Sequence, residues 1–326
     1  MILAGDIGGT NTRLAFFVKH GGRLERVVEE TYASREHPNL ETILKRFMSS
    51  HDLPVDVASL GVAGPVRDGR CEVVNLAWII DARQLAHELH LDAVELLNDL
   101  EASAYGLALL APEDFVLLNQ GIPDAFGNAA VVAAGTGLGE AGLYWDGQQH
   151  RPFACEGGHT SFAPSDPLQI ELLGHLMGEF GHVSWERVLS GPGLHNIYRF
   201  LRDTGRGEEP TWLRQEMQGR DPAAVISRAA LAGTSALCER ALDLFVSLYG
   251  TEAGNVALKM MATGGVFIGR GIAPKIIKKL TDSRFMEGFV AKGRLKPLLQ
   301  AIPVRVIMND KTALLGAARF ATLKAA

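Results

Sequence analysis

The opening stretch of the chain constrains its fold most, because two apolar runs flank a turn that contains paired glycines. Residues 1–4 are apolar and lead into Gly5 and Asp6, while a second apolar run over 14–18 follows the glycines Gly8 and Gly9. A strand, a two-glycine turn and a strand predict a β-hairpin whose tip exposes backbone N–H groups. Such a tip can wrap a phosphate group. An ordinary hairpin with an Asp-initiated turn is the alternative.

Polar side chains accompany this predicted tip. Thr10, Asn11 and Arg13 add hydrogen-bond donors that could hold phosphate oxygens. Asp6 precedes the tip, where its carboxylate could hold Mg²⁺ directly or through water. We therefore place Asp6 among the nucleotide-site residues without assigning it as a direct ligand.

Composition narrows the class of protein. The 326 residues are 47% hydrophobic and 21% charged, with a formal net charge of −5, which is typical of a soluble globular chain with room for two domains. The absence of a Lys/Arg run argues against nucleic-acid binding. The three cysteines (Cys71, Cys155 and Cys238) are far apart, which fits a reducing compartment. No signal peptide or membrane span is indicated, so we expect a cytoplasmic protein.

The first part of the chain predicts a compact α/β unit. A helix is expected over 39–50, where apolar residues recur at i, i+3, i+4 and i+7. Predicted strands over 57–62 and 94–97 end in a Gly/Pro-containing segment and in Asn98-Asp99, respectively. Polar and glycine residues at the carboxyl ends of strands commonly form the edge of a ligand cleft. A helix is expected to follow over 100–110.

The second part begins with a similar pattern. A predicted strand over 129–134 leads into Gly135, Thr136 and Gly137, and an apolar run follows over 141–145. Two such loops could grip the phosphates of a nucleotide from both sides of an interdomain cleft, although a single glycine-rich loop is weak evidence. A third apolar run over 256–262 predicts a strand that ends at Gly264 and Gly265.

Two segments carry polar residues suited to a ligand with hydroxyl groups. Residues 155–162 contain Glu156 and His159 around two glycines, which we expect to let the backbone approach a ligand closely. A short helix capped by Ser184 is predicted to carry Glu186. A solvated surface role for Glu186 and a structural role for His159 are the alternatives.

Taken together, these segments resemble the bacterial glucokinase family of the non-zinc type, within the actin-like, hexokinase-like ATPases. The segments that carry the resemblance run in order along essentially the whole chain: 5–13, 61–66, 97–99, 135–139, 156–159, 186–193 and 263–266. The phosphate loops mark only the wider ATPase group, whereas 156–159 and 186–193 are far more specific. The Cys-rich zinc loop of the related repressor and kinase family does not follow His159 here.

The resemblance implies a site and a reaction. Glucose would be bound by Asn98, Asp99, Glu156, His159 and Glu186, with Asp99 accepting the proton of the 6-hydroxyl. The nucleotide would be bound by Gly5, Asp6, Ile7, Gly8, Gly9 and Thr10 in the first loop, by Gly135, Thr136 and Gly137 in the second, and by Gly264 and Gly265 beside adenosine. ATP and Mg²⁺ are the implied phosphoryl donor and metal, and glucose 6-phosphate, the entry compound of glycolysis, is the implied product. A homodimer is also expected.

The implied fold is a two-domain α/β architecture of the actin-like, hexokinase-like (ribonuclease H-like) ATPase type with an interdomain cleft. A small domain over 1–110, completed by a helix over 309–326, would accompany a larger domain over 111–308. Two other functions stay open: a phosphotransferase or phosphohydrolase of the same group acting on another substrate, and a catalytically silent sugar-binding regulator. The range of hexoses accepted, and ADP or polyphosphate as donor, also stay open.

Overall fold

Contacts between Cα atoms divide the chain into two compact units. The computed structural model describes residues 1–73, 76–269 and 271–324. The first unit comprises Met1–Glu113, Pro152–Ala154 and Asn309–Ala326, and the second comprises Asp114–Arg151 and Cys155–Met308.

The first unit is built on a five-stranded sheet with the order β3-β2-β1-β4-β8, accompanied by a small sheet of β5, β6 and β7. Its strands are β1 (Ile2–Ile7), β2 (Asn11–His20), β3 (Arg23–Ala33), β4 (Val57–Val62), β5 (Val66–Arg67), β6 (Arg70–Glu72), β7 (Ile79–Asp81) and β8 (Val94–Asn98). Its helices are α1 (Leu40–His51), α2 (Ala82–Leu89), α3 (Asp99–Gly106) and α12 (Thr312–Lys324).

Alternation along β1 explains how this sheet is covered on both faces. Successive side chains of a strand point to opposite faces. Leu3 and Ile7 pack in the apolar cluster that includes α1, whereas Ile2 and Ala4 pack in the cluster that includes α12. The predicted hairpin is therefore confirmed, with β1 antiparallel to β2, and β4 and β8 continue the sheet in parallel.

The second unit is built on a six-stranded sheet with the order β12-β11-β10-β13-β14-β9. Its strands are β9 (Phe115–Asn119), β10 (Ala129–Ala134), β11 (Leu138–Trp145), β12 (His150–Cys155), β13 (Gly265–Gly269) and β14 (Val304–Ile307). Its helices are α4 (Pro167–Phe180), α5 (Gly191–Asp203), α6 (Thr211–Met217), α7 (Pro222–Leu231), α8 (Ala236–Met260), α9 (Ile277–Leu280), α10 (Ser283–Val290) and α11 (Lys296–Gln300).

The two sheets share a topology. In each, an antiparallel hairpin (β1-β2 or β10-β11) is followed by two strands added in parallel (β4 and β8, or β13 and β14). The glycine-rich hairpin that the sequence shows twice therefore belongs, each time, to a sheet with the same arrangement of four strands.

The strand predicted over 256–262 is wrong. Five of these residues are the last five of α8, which ends at Met260 with Met261 in the left-handed conformation. A mostly apolar run of seven residues suits a helix as well as a strand, and the preceding helical turns decide the outcome here. None of the helices within the described ranges is both long and apolar enough to cross a membrane.

Candidate functional site

The first glycine loop is closed by backbone contacts and by one serine. Gly8 N–H donates to the carbonyl oxygen of Asn11 at 2.9 Å, and the Ser34 hydroxyl donates to the carbonyl oxygen of Gly8 at 2.8 Å. Ser34 N–H donates in turn to the carbonyl oxygen of Thr10 at 2.9 Å. Ser34, which directly follows β3, thus fixes the conformation of the loop, and the sequence pattern did not single it out.

Arg13 takes a different role from the one expected. Its guanidinium donates to the backbone carbonyl and to the Oδ2 atom of Asp310, each at 2.6 Å. This bidentate pairing holds the side chain against Asp310, so its expected part as a phosphate donor at the loop tip is replaced by an ion pair with the segment before α12.

Parallel strands bring the remaining polar positions of the first unit to one sheet edge. Asp6 on β1 is in register with Gly61 on β4, and Val62 is in register with Asn98 on β8. The first loop, the glycine-containing turn after β4 and Asn98-Asp99 therefore lie at the same carboxyl edge of the sheet.

Asn98 and Asp99 form the junction between β8 and α3. Asn98 is the N-cap of α3: its Oδ1 atom accepts from Leu100 N–H at 2.9 Å, and its Nδ2 atom donates to the carbonyl oxygen of Gly64 at 3.1 Å. Asp99 is the first helical residue and is 6% exposed. The Asp99 carboxylate therefore lies at the N-terminus of a helix that Asn98 caps, a position that favours negative charge.

In the second unit, the glycine loop after β10 contacts Glu186 directly. Leu138 N–H donates to Glu186 Oε2 at 3.0 Å, and Gly191 N–H donates to the carbonyl oxygen of Gly135 at 2.8 Å. The same Glu186 oxygen leaves no room for a side chain at Gly137, where a Cβ atom would lie 2.4 Å away. Leu138 and Gly139, which the pattern counted with the loop, belong to β11.

The two segments whose polar residues suit a ligand with hydroxyl groups, 155–162 and the turn that carries Glu186, lie next to each other. Glu156 and His159 flank a 3₁₀ turn, and the carboxylate Oε2 and the ring Nε2 are 3.9 Å apart on largely exposed side chains. Trp185 N–H donates to the carbonyl oxygen of Thr160 at 2.9 Å, which places the 3₁₀ turn that carries Glu186 alongside. Glu156, His159 and Glu186 are therefore brought together.

Ser190 fixes the turn that carries Glu186. Its hydroxyl donates to the carbonyl oxygen of Glu186 at 2.7 Å and accepts from Gly193 N–H at 3.0 Å, so it caps α5. Ser184, which we expected to be the cap of a helix carrying Glu186, makes no side-chain capping bond.

Gly264 and Gly265 are not brought to the second loop. Gly265 begins β13 and is in register with Ala129 at the start of β10, whereas Gly135 follows the end of β10. With a rise of about 3.3 Å per residue, the two glycine segments lie roughly 20 Å apart along the sheet. The adenosine contact at Gly264 and Gly265 was implied by the family resemblance, and the residues before this pair form the end of α8 and not the predicted strand.

The opposite end of β13 is the one beside the second loop. Ile272 N–H donates to the carbonyl oxygen of Ala134 at 3.2 Å, and a Cβ atom at Gly271 would lie 3.9 Å from the Cα atom of Gly135. In the sequence, this segment beside the second loop is marked by the glycines Gly269 and Gly271. It was overlooked because the adenosine contact was assigned to 264–265 instead.

Fold and loops together define a class. Two glycine-rich hairpins, each at the start of a sheet with the same strand order, are the architecture of the hexokinase-like sugar kinases. Solved structures agree: a glucokinase from an Antarctic psychrotroph superposes with a TM-score of 0.85 at 31% identity, over 99% of this chain and 98% of that one.

Sequence comparison then gives the particular family. A family model described as Glucokinase matches residues 3–324. A glucokinase from Nostoc sp. strain PCC 7120 is 40% identical over 334 aligned positions, covering 98% of each chain. This chain belongs to the glucokinase family. A ROK family glucokinase from Streptomyces griseus, solved in complex with glucose and AMPPNP, shares the fold with a TM-score of 0.64 at 20% identity, over 99% of each chain.

Proposed function

We propose that this protein transfers the γ-phosphoryl group of ATP to the 6-hydroxyl of D-glucose, giving glucose 6-phosphate. Membership of the glucokinase family supports the activity. The contact that carries the proposal for the site is the hydrogen bond from Leu138 N–H to Glu186 Oε2. It joins a glycine loop suited to phosphate to the cluster of Glu156, His159 and Glu186, which suits a sugar.

A hexose presents hydroxyl groups that both donate and accept hydrogen bonds, so its site needs several carboxylate, imidazole and amide groups. Glu156, His159 and Glu186 supply such groups within the second unit, and membership of the glucokinase family supports Asn98 and Asp99 as further proposed ligands of the sugar. Polar groups left unpaired by an incorrect epimer would cost binding energy, which gives selectivity for the sugar.

Asp99 is the proposed catalytic base. Its carboxylate would accept the proton of the 6-hydroxyl as the hydroxyl oxygen attacks the γ-phosphorus and the bond to ADP breaks. The transition state of phosphoryl transfer is loose, so positioning and charge neutralisation contribute more than the strength of the base. An aspartate at the start of α3 suits this role, because the helix N-terminus favours its negative charge.

The nucleotide phosphates would be bound by Gly5–Thr10 of the first loop and by Gly135, Thr136 and Gly137 of the second. Asp6 fits the magnesium ion of the nucleotide, because its half-buried side chain offers oxygen ligands at the sheet edge beside the first loop. Bound Mg²⁺ would neutralise charge on the β- and γ-phosphates. Gly264 and Gly265 are left out because the structure places them at the other end of β13.

The deciding experiment is a coupled assay of glucose 6-phosphate formation with Mg²⁺ and ATP. Wild type should turn over glucose, and Asp99→Asn should lower kcat by about 100-fold or more while glucose still binds, measured by calorimetry. Asp92→Asn, on an exposed loop before β8, is the matched control and should keep wild-type kcat.

Each other outcome has a definite meaning. Turnover of another hexose but not of glucose would keep the mechanism and replace the substrate. Wild-type kcat in Asp99→Asn would remove the assignment of the base.

We further propose that the protein acts in the cytoplasm as a homodimer, that it serves the entry step of glycolysis, and that the two compact units are its two domains. The glucokinase family supports these proposals. Light scattering after size-exclusion chromatography tests the dimer, for which the expected mass is twice the chain mass of 35.1 kDa. A monomer at micromolar concentration would contradict it.

A further inference from the structure

Two buried carboxyl groups meet behind the turn that carries Glu156 and His159. Glu140 on β11 is 3% exposed and Glu252 on α8 is fully buried, and the two carboxyl groups are close enough to interact electrostatically. Within the described part of the chain, the Oε1 atom of each meets no N–H or O–H donor in hydrogen-bonding geometry. Two buried carboxyl groups that interact with each other are not both ionised at neutral pH, so the pair holds a proton.

The surrounding charges indicate which carboxyl group holds that proton. Lys259 Nζ lies 3.5 Å from Glu252 Oε1, and Asn255 Nδ2 donates to Glu252 Oε2 at 2.7 Å. Lys292 Nζ donates to Asn255 Oδ1 at 2.7 Å, on the same side of the pair. Burial raises the pKa of Glu252 as well, but the cation Lys259 and the amide of Asn255 oppose this and favour ionisation of Glu252 over Glu140.

Glu140 faces a different environment. The other titratable groups near it, besides Glu252 and Lys259, are Tyr249 and Cys155, which are weak acids. Burial first, and then the charge of Glu252, raise the pKa of Glu140 to about 8. At neutral pH the proton thus remains on Glu140, and the pair carries one negative charge that Lys259 balances.

The protonated carboxyl group supports the turn directly. A Cβ atom at Gly157 would lie 1.8 Å from Glu140 Oε2, and one at Gly158 would lie 2.1 Å from the carbonyl oxygen of Leu138. Close packing on β11 therefore requires glycine at both positions between Glu156 and His159.

We propose that Glu140 is a positioning residue for glucose: in its neutral form it supports the turn at Gly157, and its ionisation displaces Glu156 and His159. This inference rests on the proposed assignment of Glu156 and His159 to the sugar site. Two buried carboxylates that interact with each other repel strongly, and the Gly157 backbone is the contact through which movement of Glu140 would reach the turn. Glucose binding should then weaken as the shared proton is lost.

The test compares the pH dependence of the KM for glucose in wild type and in Glu140→Gln. Glutamine is neutral at every pH, and its amide can donate to Glu252 Oε1. The wild-type KM for glucose should rise by about tenfold between pH 7 and pH 9, the factor by which the protonated fraction falls across a pKa of about 8. Glu140→Gln should lose this rise while keeping a KM near that of wild type at pH 7.

Control variants separate this role from a general one. Glu287→Gln, an exposed carboxylate on α10, should retain the wild-type pH profile. Glu140→Ala should raise the KM for glucose at every pH and change kcat less. If Glu140→Ala does not fold, Glu140→Gln still decides the question.

Two failures are distinguishable. An identical rise in wild type and Glu140→Gln overturns the positioning role, provided that Glu156→Gln and His159→Asn raise the KM for glucose. If those two variants bind glucose as wild type does, the proposed sugar site itself is wrong.

Discussion

At the scale of single residues, Asn98 combines a structural and a proposed binding role. Its side-chain oxygen Oδ1 caps α3, and its side-chain nitrogen Nδ2 donates a hydrogen bond to the carbonyl oxygen of Gly64. Both polar atoms of the side chain therefore have protein partners. The side chain therefore fixes the start of the helix that presents Asp99 and the turn that follows β4.

Replacing Asn98 by alanine should lower stability by about 1–2 kcal/mol through loss of the cap. It should also raise the KM for glucose roughly 3- to 10-fold, the cost of one to two lost hydrogen bonds. Thermal denaturation and steady-state kinetics measure the two effects.

Asp81→Ala removes the N-cap of α2 and is the matched control, because Asp81 Oδ1 accepts from Arg83 and Gln84 N–H groups. It should lose similar stability with an unchanged KM for glucose. An Asn98→Ala variant with wild-type KM would restrict Asn98 to capping.

The sequence predicted which polar residues stand at glycines and strand ends better than it predicted which residues contact each other. Asp99, Glu156, His159 and Glu186 stand out as polar groups beside glycines or strand ends. Glu140 and Glu252 do not, because they are separated by more than a hundred positions and nothing local signals that a strand and a helix bury them together. Arg13 was misjudged for the same reason, since its partner Asp310 is distant in sequence.

At the scale of secondary-structure elements, α3 and α12 approach each other more closely than ordinary helices can. A Cβ atom at Gly316 would lie 1.7 Å from the carbonyl oxygen of Ala102, and one at Gly106 would lie 2.0 Å from that of Thr312. Glycines on both helices therefore permit backbone contact, and α12 covers one face of the first sheet through Leu314, Ala317 and related residues.

Gly316→Ala should destabilise the protein by about 1–3 kcal/mol, because the added methyl group forces the two helices apart. Gly174→Ala, also inside a helix but with nothing within 4 Å, should instead stabilise by about 0.5–1 kcal/mol through helix propensity. Denaturant unfolding measures both. Equal effects of the two substitutions would refute the close packing.

Most elements followed from local patterns. The helix over 40–51 and the strands over 57–62 and 129–134 match the apolar periodicity closely. The failure at 256–262 arose because α8 is largely buried and its apolar run lacks a clear helical face. A buried helix and a buried strand look alike over seven residues.

At the scale of the whole molecule, titration of buried and paired carboxyl groups shapes the dependence of stability on pH. Hydrogen bonds from the backbone N–H of Gln149, the Arg151 side chain and the backbone N–H of Gln148 lower the pKa of Asp146 to about 2, so its contribution is present above pH 3.8 and is lost as the pH falls towards 2. The pKa of Glu140 is raised instead, so the folded state binds more protons than the unfolded state between pH 4.5 and about 8.

The Tm should therefore fall by roughly 2–5 °C as the pH rises from 5 to 8.5. Folding in this range requires Glu140 to bind a proton that the unfolded chain has already lost, and binding that proton becomes less favourable as the pH rises. Scanning calorimetry across this range measures the effect. Glu140→Gln should show a flatter profile than wild type, and a wild-type slope in this variant would assign the pH dependence to other groups.

The place of α12 in the chain has a consequence for biosynthesis. The strands of the first unit are translated early, yet one face of their sheet is covered by a helix that begins roughly 200 residues after Glu113. At about 5–20 residues per second, the ribosome needs roughly 10–40 s to synthesise the intervening segment. Throughout that interval the apolar side chains Ile2, Ala4, Ala15 and Phe17 lack the helix that covers them in the folded protein, so we expect this face of the nascent sheet to be prone to aggregation.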